Sequence, residues 1–118
     1  MGQSMAILRY LGLRFGYYST DPMEMWLIDS TVDAVQEIFS KFEGAYFSLS
    51  PDMKQTAFKS LIEQGGPLRT FMAAMEKRLK PEGSYILGSA LTIADFALGA
   101  LFFATFFNET SPYYQDYR

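Results

Sequence analysis

One segment constrains the fold of this chain more than any other, a long apolar stripe that begins at Asp21-Pro22. Asp21 is suited to cap a helix, Pro22 suits the first helical position, and Glu24 lies three residues after the cap. Apolar residues then recur at alternating intervals of four and three, at Ile28, Val32, Val35, Phe39, Phe42, Tyr46 and Leu49. This spacing predicts a helix of about seven turns with one apolar face, as suits the centre of a bundle.

Four further segments have helical periodicity bounded by stop signals. They are predicted at Ser4–Phe15, from Ser50-Pro51 to near Gly65-Gly66, from Pro67 to Pro81-Glu82-Gly83, and from Thr92 onwards. The helix at Pro67 is expected to turn one face to the core, formed by Leu68, Phe71, Met72, Met75 and Leu79. The polar and aromatic residues 108–118 predict a connection, and no segment has the alternation of a strand. The chain is therefore predicted to be all-α.

The last helix carries a clear start signal. Thr92 and Asp95 have the spacing of a capping box, with Asp in place of the usual Glu. Leu91 before the cap and Phe96 at the fourth helical position fit a hydrophobic staple. We therefore assign Thr92 and Asp95 a structural role.

Composition excludes several kinds of site and partner. The 118 residues contain no Cys and no His, which removes zinc fingers, thiol chemistry and Ser-His-Asp catalysis. A metal site would need carboxylates alone, so none is predicted. The net charge of −3 argues against a nucleic-acid partner. The uncharged run Phe96–Phe107 is shorter than the roughly 20 residues of a membrane span, so we expect a buried helix there.

Three carboxylates share one flank of the long helix. Asp29, Asp33 and Glu37 lie at i, i+4 and i+8, which places them on the same side of the helix. A solvated face is the ordinary explanation for such a pattern. Like charges at this spacing are mildly destabilising, however, so the cluster is also a candidate binding face.

Two sequence motifs, in order and at matching separation, resemble those of one enzyme family. Gln-Ser-Met-Ala-Ile-Leu-Arg-Tyr-Leu at 3–11 resembles the segment that opens the last helix of the thioredoxin-like domain in cytosolic glutathione transferases. Tyr-Ile-Leu-Gly-Ser-Ala-Leu-Thr-Ile-Ala-Asp-Phe at 85–96 resembles the capping segment of their helical C-terminal domain. Between them, residues 24–37 resemble the acidic, dimer-facing helix of the sigma and pi classes. The resemblance is sigma-like and extends from residue 2 to about 118.

The resemblance implies a division of the chain into two parts. Residues 1–18 would be the last helix of a truncated thioredoxin-like domain. Residues 19–118 would be a glutathione transferase C-terminal-like helical bundle, incomplete at its end. In the family, the part of the thioredoxin-like domain that lies before this segment carries the hydroxyl that lowers the thiol pKa of glutathione. We therefore expect the 118-residue chain alone to be inactive.

The resemblance also implies site residues, each of which has an ordinary alternative. Gln3 and Ser4 match the pair that holds the γ-glutamyl end of glutathione, the alternative being a helix cap at Ser4. Glu37 matches an acidic residue that reaches across the dimer to the neighbour's glutathione, the alternative being a solvated face. Phe47 and Tyr46 match aromatics that line the electrophile site. Tyr46 also belongs to the apolar stripe, so we expect it to pack in the core, and Phe47 is the better candidate for contact with the substrate.

The function implied is conjugation of glutathione, as co-substrate, to small electrophiles in a detoxification role, once an N-terminal domain is present. A cytoplasmic homodimer formed through the acidic helix is expected, with a mitochondrial location as an alternative. A second hypothesis is a non-catalytic transferase-like helical module that docks in a larger protein assembly. A third is a generic helical bundle with a fortuitous motif match. A membrane span is not expected.

Overall fold

The computed structural model describes residues 2–47, 50–79, 83–105 and 107, and folds them into five α-helices. These are α1 (Gly2–Phe15), α2 (Pro22–Tyr46), α3 (Pro51–Ile62), α4 (Pro67–Arg78) and α5 (Ile93–Thr105). No strand occurs in the described ranges, where an isolated β-bridge pairs Tyr85 with Gly88 in the loop before α5. The predicted all-α fold is confirmed. None of the helices in this described part of the chain is long and apolar enough to cross a membrane.

The start of α2 follows the sequence prediction with one difference. Asp21 Oδ1 accepts hydrogen bonds from the backbone N–H groups of Met23 and Glu24, at 2.9 and 3.0 Å. In a capping box, Glu24 would return to the N–H of Asp21. That N–H instead donates to Ser19 Oγ at 3.0 Å, and Ser19 Oγ donates to the Glu24 carboxylate at 2.6 Å. The serine therefore lies between the two groups that the capping box would join directly.

The apolar stripe of α2 forms the centre of the core, as predicted. Ile28 and Val32 are fully buried, and Val35 and Phe42 are nearly so. The α5 residues buried with them are Ile93, Ala94, Ala97 and Leu101. The helix α2 contacts α3, α4 and α5, so its apolar face is the surface on which the bundle assembles.

The starts of α3 and α4 lie at the prolines that predict them. Ser50 precedes α3, and its Oγ accepts the backbone N–H of Met53 at 3.3 Å. The residue before Pro67 is Gly66, which caps α4 without a side chain. Gly65 has a φ of +83°, a left-handed conformation that favours glycine and turns the chain between the two helices.

The buried face of α4 is narrower than predicted. Leu68, Phe71 and Met75 are buried, whereas Met72 and Leu79 are 43% and 45% exposed. Met72 follows Phe71 directly, so its side chain is turned by about 100° around the helix axis. Leu79 follows the last residue of α4 and leaves the helical face altogether.

The helix α1 is joined to α5 through its end. The chain leaves α1 at Gly16, where φ is +78°, and the N–H of Tyr17 donates to the Gly12 carbonyl at 2.8 Å. The carbonyl of Tyr17 then accepts the N–H of Ile93, the first residue of α5, at 3.0 Å. Gly12 is buried against the same residue, since a Cβ added to it would lie 2.6 Å from Ile93 Cγ2. Only glycine allows this approach.

Several predicted features lie outside the described residues. They are the end of the apolar stripe at Leu49, the stop signal at Pro81-Glu82 and the connection at 108–118. The division of the chain into residues 1–18 and 19–118 stays a prediction.

Candidate functional site

The amino end of α1 borders an apolar cavity of about 420 Å³. Side chains of three helices line it, among them Ser4 and Leu8 of α1, Val35 and Phe39 of α2, and Phe96 and Leu101 of α5. Ser4 is exposed, as is its neighbour Gln3. Because α1 begins at Gly2, the structure places Ser4 third in the helix and at the rim of this cavity.

Two carboxylates of the acidic flank are bound to α1 and to the loop after it. Arg9 Nε donates to Asp29 Oδ1 at 2.7 Å, and Arg9 Nη2 donates to Asp33 Oδ1 at 2.7 Å. The Tyr18 hydroxyl donates to the other oxygen of Asp29 at 2.6 Å. One guanidinium therefore bridges two carboxylates and offsets part of the repulsion between them along α2.

These contacts alter the ionisation of both donors. Hydrogen bonds to Asp29 and then to Asp33 raise the pKa of Arg9 above its ordinary value. Burial, followed by the hydrogen bond to Asp29, raises the pKa of Tyr18 to about 12. Both side chains thus keep the protonated form that donates to the carboxylates. Neither was singled out from the sequence, because the pairing requires knowledge of how α1 packs on α2.

Glu37 is set apart from the other two carboxylates of the flank. Its carboxylate lies 3.1 Å from the Lys41 ammonium one turn further along α2, and 69% of its side chain is exposed. This is the geometry of a surface ion pair, which is worth little in itself. The structure therefore leaves the Glu37 side chain exposed to solvent on α2.

Tyr46 and Phe47 lie at the carboxyl end of α2. Their rings meet edge to face with centroids 5.3 Å apart, and the Lys54 ammonium lies 5.1 Å from the centroid of the Tyr46 ring. Tyr46 is 46% exposed and Phe47 is 74% exposed. The expectation of core packing for Tyr46 is wrong, because it is the last residue of α2 and packs on Phe47 and Lys54. Phe39, at the apolar cavity, precedes Tyr46 by seven residues, which is about 10 Å along the helix axis.

The predicted cap of α5 is present and has a further partner. Asp95 Oδ2 accepts the backbone N–H and the hydroxyl of Thr92, at 2.8 and 2.9 Å. Asp95 Oδ1 accepts the backbone N–H of Ile86 at 2.9 Å. The Thr92 hydroxyl thus donates to the carboxylate instead of accepting the N–H of Asp95, which bonds to the Thr92 carbonyl at 3.1 Å. Asp95 therefore holds the loop before α5 as well as the helix start.

Fold and site together define an all-α domain with an apolar cavity beneath the amino end of its first helix. The sequence profile of the family described as "Glutathione S-transferase, C-terminal domain" matches residues 59–114. The chain is 35% identical to Glutathione S-transferase A of Cavia porcellus over 104 residues, which cover 87% of this chain and 46% of the relative. It is 29% identical to Glutathione S-transferase P of Bos taurus over 96 residues, covering 81% and 44% of the two chains.

The similarity extends to a protein with a different name. S-crystallin SL11 of Nototodarus sloanii is 31% identical over 99 residues, covering 79% of this chain and 45% of the relative. The comparison with solved structures returns no match. Most of the chain is the C-terminal region of a glutathione S-transferase family protein. The chain spans about half the length of the curated relatives it matches.

Proposed function

We propose that this chain supplies the helical part of a protein that conjugates glutathione to small electrophiles. The observation that carries the proposal is the position of Ser4 at the rim of the apolar cavity, in a chain similar to proteins named glutathione transferases. A hydroxyl and an amide at an exposed helix start suit a carboxylate such as the γ-glutamyl end of glutathione. Gln3 and Ser4 are exposed and accessible for that role.

The outer face of α1 supports a covering domain in the working protein. This helix and the loop after it expose large apolar side chains at Ile7, Tyr10, Leu11, Leu13, Phe15 and Tyr17. Exposed apolar surface of this extent marks an interaction face. The rest of the family's thioredoxin-like domain is the partner that we propose for this face, and it would supply the group that lowers the thiol pKa of glutathione.

Glu37 and the aromatic pair complete the proposed site. Glu37 would reach the α-ammonium of glutathione in a second subunit, since its carboxylate is exposed and, among the residues that the structure describes, pairs with Lys41. Tyr46 and Phe47 would contact the electrophile, since both rings are open to solvent. An extended tripeptide spans about 10 Å, which matches the distance along α2 between the cavity and Tyr46.

A chimera tests this proposal. The chain alone should show no turnover of a chromogenic aryl halide with glutathione. A chimera in which this chain replaces the matching region of the Cavia porcellus relative, behind that protein's own N-terminal half, should catalyse conjugation. Ser4→Ala in the chimera should raise the KM for glutathione about tenfold or more, as expected for a lost hydrogen bond to a charged group.

Ser40→Ala is the matched control, because Ser40 is exposed on α2 and its hydroxyl donates to the Gln36 carbonyl at 2.9 Å. Its KM should not change. A folded chimera without activity, or turnover by the chain alone, would contradict the proposal.

A further inference from the structure

A cationic side chain lies beside the aromatic pair at the carboxyl end of α2. Lys54 is the fourth residue of α3, and its backbone N–H donates to the Ser50 carbonyl at 3.0 Å. Its ammonium lies 5.1 Å from the centroid of the Tyr46 ring, within the roughly 6 Å at which a cation is attracted to an aromatic face. The helix α3 therefore holds a positive charge next to the ring pair of Tyr46 and Phe47.

The position of this cation does not stabilise α3. A helix has a partial positive charge at its amino end, so a lysine near that end gains nothing from the helix dipole. Among the residues that the structure describes, Lys54 forms no ion pair. Its attraction to the Tyr46 ring involves a neutral group and leaves the positive charge uncompensated. The ammonium therefore keeps N–H donors for an acceptor that enters from solvent.

The two rings provide an apolar surface next to the cation. They meet edge to face with centroids 5.3 Å apart, and both are open to solvent. Flat aromatic molecules pack well on such rings, offset or edge to face. A molecule that lies there has its polar substituent within reach of the Lys54 ammonium. The arrangement suits a flat apolar compound with an oxygen acceptor conjugated to its reactive carbon.

We propose that Lys54 is a specificity-determining residue, which favours conjugated carbonyl electrophiles over electrophiles that release a halide. This inference rests on the proposed function, in which Tyr46 and Phe47 contact the electrophile. The rings would hold the apolar part of an α,β-unsaturated ketone, and the Lys54 ammonium would donate a hydrogen bond to its carbonyl oxygen. An electrophile without that oxygen would gain nothing from Lys54.

The negative charge that Lys54 would meet develops only during the reaction. The glutathione thiolate forms a carbon–sulfur bond at the β-carbon, and the π electron pair of the C=C bond shifts so that the carbonyl oxygen becomes the oxyanion of an enolate. Water then gives a proton to the α-carbon, and Lys54 keeps its own. A cationic donor binds an oxyanion more strongly than a neutral ketone, so Lys54 would stabilise the transition state more than the bound substrate. When a benzylic chloride is displaced, the departing chloride carries the negative charge away instead.

The chimera described above tests this inference with two substrates that share a phenyl ring. Benzylideneacetone is a conjugated ketone, and benzyl chloride releases a halide. Lys54→Met should lower kcat/KM for benzylideneacetone about tenfold more than it lowers kcat/KM for benzyl chloride, as expected for a lost charge-assisted hydrogen bond. The loss with benzylideneacetone should be in kcat, because the oxyanion forms only in the transition state. Lys54→Arg retains a cationic donor and should recover part of the activity.

Lys59→Met is the matched control. Lys59 is exposed on α3 and follows Lys54 by five residues, so its side chain is turned by about 140° around the helix axis. This variant makes the same chemical change on the same helix and should leave both kcat/KM values unchanged. A folding defect in Lys54→Met would lower both values together, so their ratio reports the effect of Lys54 on specificity.

Two results would overturn the inference. They are an equal change of both kcat/KM values in Lys54→Met, and an equal effect of Lys54→Met and Lys59→Met on benzylideneacetone. In either case, conjugation of benzyl chloride by the chimera would still support the proposed function. A folded chimera that conjugates neither substrate would contradict the proposed function, and this inference with it.

Discussion

Replacement of Asp95 by alanine should destabilise this fold more than its partly exposed position suggests. The carboxylate accepts three hydrogen bonds, two from Thr92 and one from the backbone N–H of Ile86. Ile86 is fully buried, so removal of the carboxylate takes away the acceptor that its N–H has in the fold. The substitution therefore removes a helix cap and leaves a buried donor unsatisfied.

The magnitude follows from these two losses. Removing a helix cap costs about 1 kcal/mol. Leaving a buried N–H unsatisfied costs about 2 kcal/mol, within a range of about 1–3. The free energy of unfolding should thus fall by about 3 kcal/mol, a large part of the roughly 5–15 kcal/mol typical of a domain. With a urea m value of about 1.5 kcal/mol/M, the midpoint should fall by about 2 M.

Urea unfolding monitored by circular dichroism measures this difference. Asp52→Ala is the control, because Asp52 is an exposed acidic residue in the first turn of α3 and should contribute only about 0.3–1 kcal/mol through the helix dipole. Asp95→Asn should lie between the wild type and Asp95→Ala, since the amide retains one acceptor oxygen. If Asp95→Ala costs no more than Asp52→Ala, the assignment of the Ile86 bond to the carboxylate is refuted.

Two further predictions concern α1 and its contacts. Gly12→Ala should lower the free energy of unfolding by about 1–3 kcal/mol, because the added Cβ would clash with Ile93. Gly44→Ala has open space around the added Cβ and should stabilise α2 by about 0.5–1 kcal/mol. Thermal unfolding should therefore show opposite shifts of the two melting temperatures, and shifts in the same direction would contradict this reasoning. Because the folded-state pKa of Tyr18 is raised to about 12 from an ordinary 10.0, its contribution to stability should be complete below pH 10 and lost as the pH rises to 12. Urea midpoints across this range should show that loss, and Tyr18→Phe, which removes the bond to Asp29, should abolish it; an unchanged slope would exclude Tyr18 as its source.

Local signals predicted the helix starts well. Asp21 and Ser50 cap the helices that their positions indicate, and Thr92 with Asp95 marks the start of α5. Each of these contacts joins residues within a few positions of one another, so the sequence pattern is sufficient to identify them. The apolar spacing of α2 likewise identified its buried face at Ile28 and Val32.

Contacts between distant segments could not be predicted in this way. Arg9 bridges Asp29 and Asp33 from another helix, and the three residues show no mutual pattern in the sequence. The same holds for the bond from Ile86 to Asp95, which depends on the path of a loop. Tyr46 continues the apolar spacing of α2 but lies beyond the part that other helices cover, so periodicity alone overstated its burial.

Tyr17 links the carboxyl end of one helix to the amino end of another. Its N–H bonds to a terminal carbonyl of α1 and its C=O bonds to the first N–H of α5. A helix has about half a negative unit charge at its carboxyl end and about half a positive one at its amino end. The negative end of α1 and the positive end of α5 therefore face each other across Tyr17. The Asp95 carboxylate adds negative charge next to the amino end of α5. Groups of the protein itself thus compensate the amino end of α5, which weakens the attraction that this helix end would have for an anionic ligand.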